Sequence, residues 1–358
     1  MNAAKMNWSV GIVIAVLAVV PVGCSQDWSS VCPAKGTTVL SVYTPARSLS
    51  EQDEATASRK GDRDMALGAG DTVVWYGTTD DDWEVVTNWS PQEIPIDQVH
   101  VVVSAAAVSP MLTNLDRQGD SGGDGLDLRT FYTEPGLVED VGTPTNPLKC
   151  TVDHPTNGEP SIRHYGKGSL NFSSETGTGG HTTGYIIVRS PNMDNAAVIT
   201  GDEAITGLIC LTGHTTLSSD FTDTLGYLFA RRWSHAAVEP VVVLEAHVVA
   251  TVNSIWQRAG IITARRPVNV LSLDSGQYVH EQAVLANLRM AGGQFTLRPI
   301  SATTGISAAT LMDGWFNATG MAHNVAIVHL WKFPEVVFSS DHRLSIDTEY
   351  KLFGEDTE

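Results

Sequence analysis

The chain is poor in cysteine, and this shortage excludes two classes of protein. Its 358 residues contain four cysteines, with no Cys-x-x-Cys pair and no cluster of histidines beside them, so we expect no structural zinc site. Four cysteines are also too few for a disulfide scaffold of this length. If the protein is exported, Cys24 and Cys32 are able to pair.

Positive charge is also scarce. Lys and Arg total 22 against 40 Asp and Glu, which gives a formal net charge of −18. An acidic surface repels phosphate backbones and anionic lipids, so we expect no nucleic-acid partner and no electrostatic attachment to a membrane.

Helical periodicity is missing as well. No segment has a long apolar stripe of period 3.6, and no heptad repeat predicts a coiled coil. Glycine, at 32 residues, and abundant threonine, valine and serine favour strands and tight turns. An apolar content of 42% is enough for a real core.

The last third of the chain carries a loose repeat. Residues 270–278 return as 287–295, then in a weaker copy at 309–316 and again at 328–333. Each unit is an alternating apolar run, usually followed by a glycine turn and an aromatic residue. The units are about 17 to about 21 residues apart, which is typical of one coil of a parallel β-solenoid.

Stacked coils bring equivalent positions above one another at the strand spacing. The repeat predicts one inward ladder of Leu271, Leu288 and Leu311, a second of Leu273 and Met290, an aromatic ladder of Tyr278, Phe295 and Phe316, and bends at Gly276, Gly293 and Gly314. We therefore predict an all-β fold, a single-stranded right-handed parallel β-helix (solenoid) with an N-terminal aromatic β cap.

Three tryptophans, Trp75, Trp83 and Trp89, lie close together near the start of the predicted fold. One interpretation is a ligand-binding platform on which sugars stack. The other is a hydrophobic plug over the open end of the solenoid, which we favour because an uncovered edge strand is an aggregation site.

Asp116, Asp120, Asp124 and Asp127 lie among glycines, and carboxylates at short spacing can wrap Ca²⁺. Their intervals do not match an Asp-x-Asp-x-Asp-Gly frame. We therefore favour a solvated loop, and expect no metal site and no cofactor.

The first residues resemble a bacterial lipoprotein signal. Lys5 precedes an apolar stretch at 10–20 that is short for a membrane span, and Gly23 comes just before Cys24, which would be lipidated. Pro21 departs from the usual Leu-like residue. The alternative is that translation starts at Met65, which would make the signal a mis-assigned start.

We divide the chain into four parts. Residues 1–24 are the signal or mis-assigned start, and residues 25–70 a flexible polar linker. Residues 71–183 are the N-terminal β cap and first coils, and residues 184–358 the remaining coils and a C-terminal cap.

A family resemblance rests on Trp75-Tyr76-Gly77, Asn88-Trp89-Ser90, 95–99, 142–148 and the coil repeats. Over residues 71 to 353 the chain resembles the right-handed parallel β-helix superfamily of pectate lyases and phage tailspikes. More narrowly, it is similar to uncharacterised proteins of bacteriophages and of bacteria such as planctomycetes. The resemblance implies the fold and no defined activity. Tailspikes are trimers, which leaves a homotrimer open.

Catalytic motifs are missing. The chain has no Gly-x-Ser-x-Gly elbow, no His-Glu-x-x-His pair and no phosphate loop. Glu245 and His247 are expected to face the same side of one strand, and the pairs at 231–232 and 265–266 to be solvated arginines at coil edges. We expect no catalytic residue and no enzyme.

The favoured function is a non-catalytic structural or surface β-solenoid, either a phage virion component or a bacterial surface or extracellular scaffold. The alternatives are a glycan-binding adhesin and a polysaccharide lyase or hydrolase. The expected partners are carbohydrate or a virion or cell-surface protein, with membrane contact only through a lipid at Cys24. The expected location is extracellular or membrane-anchored as a lipoprotein, or the virion if translation starts at Met65.

Overall fold

The computed structural model describes residues 67–116, 126–152, 161–174, 183–234, 236–281, 284–300 and 305–351. Its first strands are β1 Thr72–Trp75, β2 Trp89–Ser90, β3 His100–Val103, β4 Asp127–Leu128, β5 Thr130–Thr133, β6 Leu148–Lys149, β7 Thr151–Val152, β8 Ile162–His164, β9 Leu170–Ser174, β10 Thr183–Arg189, β11 Ala197–Gly201, β12 Ile205–Thr212 and β13 His214–Phe221. The others are β14 Leu225–Ala230, β15 Val241–Leu244, β16 Val252–Gln257, β17 Ile261–Ala264, β18 Val268–Leu273, β19 Gln277–His280, β20 Val284–Met290, β21 Gln294–Leu297, β22 Gly305–Leu311, β23 Trp315–Ala318, β24 Val325–Lys332, β25 Val337–Ser340 and β26 Leu344–Lys351. One 3-10 turn spans Val86–Asn88.

The strands form two long, almost wholly parallel sheets. The long sheet has the order β2-β1-β3-β5-β8-β10-β12-β14-β16-β18-β20-β22-β24-β26, and the short sheet runs β25-β23-β21-β19-β17-β15-β13-β11-β9-β6. A third sheet pairs β4 with β7. From β10 onward the chain alternates between the long and the short sheet, so each coil adds one strand to each. The predicted all-β parallel β-solenoid is confirmed, and the hand of its coils stays a prediction.

Among the described residues no helix is long and apolar enough to cross a membrane. The signal peptide, the lipidation at Cys24 and the alternative start at Met65 lie outside the described residues.

The predicted aromatic ladder is confirmed and is longer than the repeat indicates. Tyr278, Phe295 and Phe316 pair in register on the inner face of the short sheet, and Phe338 of the next strand continues the stack. Successive ring centroids are 5.6, 5.1 and 4.8 Å apart, with interplanar angles of 13°, 11° and 4°. These separations follow the strand spacing, because in-register pairing places each ring directly on the next.

The aliphatic ladders are confirmed with one correction. Leu271 pairs with Leu288, but the next residue in that ladder is Ala309. Leu311 instead continues the second ladder, which runs through Leu273 and Met290.

The predicted glycine bends are confirmed at the start of the short-sheet strands. Gly276, Gly293 and Gly314 have φ angles of +89°, +74° and +98°. They stack so closely that a Cβ on Gly293 would lie 2.8 Å from the carbonyl oxygen of Gly276. Glycine is required here for its φ and also because the coil above leaves no room.

Replacing Leu288 by alanine tests the inward ladder. Leu288 is 2% exposed, so Leu288→Ala is expected to lower the free energy of unfolding by about 2 to 5 kcal/mol through lost burial and a cavity. The matched control is Arg289→Ala, which changes an exposed neighbour on the same strand and should cost less than about 0.5 kcal/mol. Equal denaturation midpoints for both variants would rule out the ladder.

The glycine stack is tested against an unstacked glycine of similar conformation. Gly320 has a φ of +68° and nothing within 4 Å of a built Cβ. Gly320→Ala is therefore expected to cost only the left-handed backbone penalty of about 1 to 2 kcal/mol. Gly293→Ala should cost at least about 1 kcal/mol more, because its methyl group also meets the coil above. Thermal or urea unfolding of the two variants measures the difference, and equal losses would contradict the close packing.

Candidate functional site

The three tryptophans at the N-terminal end are buried, so their interpretation as a sugar-stacking platform is wrong. Trp75 on β1, Trp89 on β2 and Trp83 between them are 0%, 2% and 0% exposed. The ring of Trp89 packs edge-on against both others, at centroid distances of 4.9 Å from Trp75 and 4.7 Å from Trp83. The cluster lies at the end of the long sheet, where β2 pairs antiparallel with β1. This arrangement is that of a cap, in which no indole face is open to a ligand.

Asn88 fixes the loop that forms this cap. Its side chain is fully buried, and its Oδ1 accepts hydrogen bonds from the backbone N–H groups of Thr79 at 2.8 Å and Asp80 at 3.3 Å. Its Nδ2 donates to Asp80 Oδ1 at 2.7 Å and to the carbonyl oxygen of Asp82 at 3.0 Å. The Asn88 amide therefore satisfies polar groups of the loop that buries Trp89. This structural role explains the Asn-Trp motif.

Two of the four aspartates considered as calcium ligands, Asp116 and Asp127, lie within the described residues. Asp116 pairs with Lys149 at 3.3 Å, and Asp127 Oδ2 accepts a 2.5 Å hydrogen bond from Gln98 Nε2. Asp120 and Asp124 lie outside the described residues. In the part of the chain that the structure describes, no three His, Cys, Asp or Glu side chains are grouped as metal ligands.

The weak catalytic candidates have structural partners. Glu245 and His247 follow β15 rather than lie on a strand, so the expected shared face is wrong. Glu245 accepts a hydrogen bond from the N–H of Ser219 at 2.9 Å, and His247 Nδ1 accepts one from the N–H of Ala250 at 2.7 Å.

Arg266 is fully buried, so the expectation that it is a solvated arginine at a coil edge is wrong. Its guanidinium donates to the carbonyl oxygens of Glu245 at 2.9 Å, Ser218 at 2.6 Å and Phe221 at 3.3 Å. Burial lowers the pKa of Arg266 to about 10, so the group stays charged at neutral pH.

The outer face of the long sheet carries an aromatic surface. Strand register places Ile187, Ile209, Phe229 and Trp256 in one outward column on four successive coils. The rings of Phe229 and Trp256 meet edge to face, with centroids 6.4 Å apart. Trp256 is 48% exposed, and the equivalent residue on the next coil is the polar Ser272. The apolar column therefore ends in a half-exposed indole.

A tyrosine pair stands beside this column. Tyr185 and Tyr227 occupy equivalent positions one coil either side of Gly207, and their ring centroids are 5.6 Å apart. A Cβ at Gly207 would lie 2.7 Å from the ring of Tyr227 and 3.0 Å from that of Tyr185. The glycine therefore lets the two rings close over the sheet. Burial, and after it the neighbouring Tyr185, raises the pKa of the Tyr227 hydroxyl, so this group stays a neutral hydrogen-bonding hydroxyl.

Arginines lie at the edge of the same face. The guanidinium carbon of Arg189 is 4.3 Å from the ring centroid of Trp233 and 5.5 Å from that of Tyr165. That of Arg231 is 5.6 Å from the centroid of Phe229. We call Tyr165, Arg189, Phe229, Arg231, Trp233 and Trp256 together the arginine–aromatic strip. No short sequence motif predicts the arginine–aromatic strip, because its members come from four different coils.

Comparisons with known protein families, curated proteins and solved structures found no match to this chain. The resemblance to β-helix proteins of phages and planctomycetes therefore stays a prediction.

Glu203 is the most perturbed carboxylic acid in the described part of the chain. It lies between β11 and β12, is 3% exposed, and its Oε1 has no hydrogen-bond partner among the described residues. Burial, and to a smaller extent the nearby carboxylates of Asp202, Asp127 and Asp223, raises the pKa of Glu203 to about 7. Because both oxygens face protein, this group affects stability rather than contacting a substrate.

The pH dependence of stability tests this assignment. The unfolded Glu203 carboxyl ionises near pH 4.5 and the folded one near 7, so its contribution falls as pH rises through this window. Glu203→Gln removes the titration. The variant should match the wild type near pH 4 and exceed its free energy of unfolding by about 1 to 2 kcal/mol at pH 8.

The comparison is made as a difference between variant and wild type at each pH. Burial lowers the pKa of His164 to about 4, which adds its own pH dependence between pH 4 and 6.5. That contribution is common to both proteins and cancels. A difference that does not change from pH 4 to pH 8 would contradict the raised pKa of Glu203.

Proposed function

We propose that the protein is a non-catalytic surface or virion β-solenoid that binds carbohydrate on the outer face of its long sheet. The observation that carries the proposal is the half-exposed Trp256 at the end of the outward apolar column, beside Phe229. An indole held by its neighbours loses little conformational freedom on binding, and its flat face matches the C–H face of a pyranose ring.

Polar groups on the same outer face support this ligand class. The Tyr185 and Tyr227 hydroxyls and the edge arginines supply hydrogen bonds beside apolar rings, which is the combination that sugars require. The repeat geometry adds a linear run of equivalent positions, which suits a polymer with its own repeating unit. Membership of a virion, a bacterial surface or a homotrimer stays part of this proposal.

The proposal predicts that glycan binding depends on Trp256 and not on exposed tryptophan in general. Trp315 on the short sheet is 42% exposed and is the matched control for Trp256, which is 48% exposed. In affinity electrophoresis through gels containing a panel of neutral and acidic polysaccharides, Trp256→Ala is expected to weaken retention at least about tenfold. Trp315→Ala should leave retention unchanged.

Three results would contradict this proposal. Absence of retention by any polysaccharide would remove the carbohydrate proposal. Release of reducing ends or of unsaturated sugars during incubation would show that the protein is an enzyme. Equal loss of retention in Trp256→Ala and Trp315→Ala would place the binding surface elsewhere.

A further inference from the structure

The two arginines of the strip, Arg189 and Arg231, differ in their contacts from Arg258, Arg265 and Arg266. Arg265 pairs with Glu281 at 2.6 Å, Arg258 pairs with Asp274 at 3.1 Å, and Arg266 is surrounded by carbonyl oxygens. Within the described ranges, no residue forms an ion pair or a side-chain hydrogen bond with the guanidinium of Arg189 or Arg231.

The aromatic rings hold these guanidiniums in place by their faces. Arg189 lies near Tyr165 and Trp233, and Arg231 lies over Phe229. A stacked guanidinium keeps its in-plane N–H groups for a bidentate contact with an oxyanion. Because stacking has already ordered the side chains, less conformational freedom is lost when the anion binds.

The surroundings of Arg231 also favour binding of an anion. Partial burial, and after it the charge of Arg258, lowers the pKa of Arg231. Arg258 itself is paired with Asp274. A bound anion would counter both effects on the pKa of Arg231. It would compensate for the hydration lost on burial and offset the repulsion from Arg258.

We infer that the carbohydrate bound by this face is an acidic polysaccharide, whose carboxylate or sulfate groups are held by Arg189 and Arg231 while a sugar ring packs on Trp256. This inference rests on the proposed function and names its ligand class. Spaced anionic groups joined by apolar ring faces fit two separate cationic positions beside aromatic rings.

The test measures binding of the full chain to four polymers by isothermal titration calorimetry. Alginate presents carboxylates, dextran sulfate presents sulfates, unmodified dextran is the neutral match of the latter, and poly(dT) presents phosphates. We expect alginate or dextran sulfate to bind at least about tenfold more tightly than dextran and poly(dT), with an affinity that falls as salt is added.

Variants then locate the anion contacts. The double variant Arg189→Gln/Arg231→Gln is expected to weaken binding of the acidic polymer at least about tenfold, the loss typical of charge-assisted hydrogen bonds. Arg289→Gln is the matched control, because Arg289 is an exposed arginine on the outer face of the same sheet and lies beyond the strip. It should change the affinity less than about twofold.

The failures are distinguishable. Equal binding of dextran and of the acidic polymers overturns the inference and keeps the proposed function. Binding of none of the polymers used here or in the retention panel overturns both. Tightest binding of poly(dT), or equal losses for the double variant and Arg289→Gln, also overturns the inference. Arg189→Lys/Arg231→Lys, which retains charge and most of the stem, should bind with intermediate affinity and guards against a folding defect in the glutamine variant.

Discussion

In-register parallel pairing is the constraint on which the rest of this structure depends. Each strand lies one strand spacing from its equivalent in the next coil, so a side chain meets the same position of its neighbours. Inward positions must therefore be apolar in every coil, and a ring such as Phe295 is packed best by other rings. The same rule leaves Gly293 no side-chain space, because the coil above is always present. Differences in coil length have to be absorbed between the strands.

Most of the fold could be predicted from the sequence, because its repeats are local. The run at 270–278 and its copies indicate strand alternation, bend and aromatic position within a few residues. The one misplaced ladder residue shows where local pattern is insufficient. Leu311 resembles Leu288 in type, but Leu273, Met290 and Leu311 all stand at the same distance before their glycine, and that distance sets the register. Residue type was a weaker guide than spacing from the bend.

The candidate site could not be predicted in the same way. Its members come from separate coils, so only the register shows that Phe229 and Trp256 are neighbours or that Trp233 reaches back to Arg189. The tryptophans that stand together in the sequence are the buried ones, since a cap needs many large apolar groups in a short segment. Local density of aromatic residues therefore indicated packing, and exposed aromatic residues were scattered. The packing of Arg231 over Phe229 is likewise invisible until the register is known.

Arg266 has a consequence for how the solenoid comes apart. Stacked repeats are usually treated as a one-dimensional chain of elements in which each senses only the adjacent ones. The guanidinium of Arg266, which follows β17, bonds to carbonyl oxygens after β15 and at the end of β13, and so reaches across three successive coils. Opening any one of these turns would strand a buried cation or its acceptors. This stretch should therefore exchange its amide hydrogens as a single cooperative block, with second-neighbour coupling inside an otherwise nearest-neighbour array.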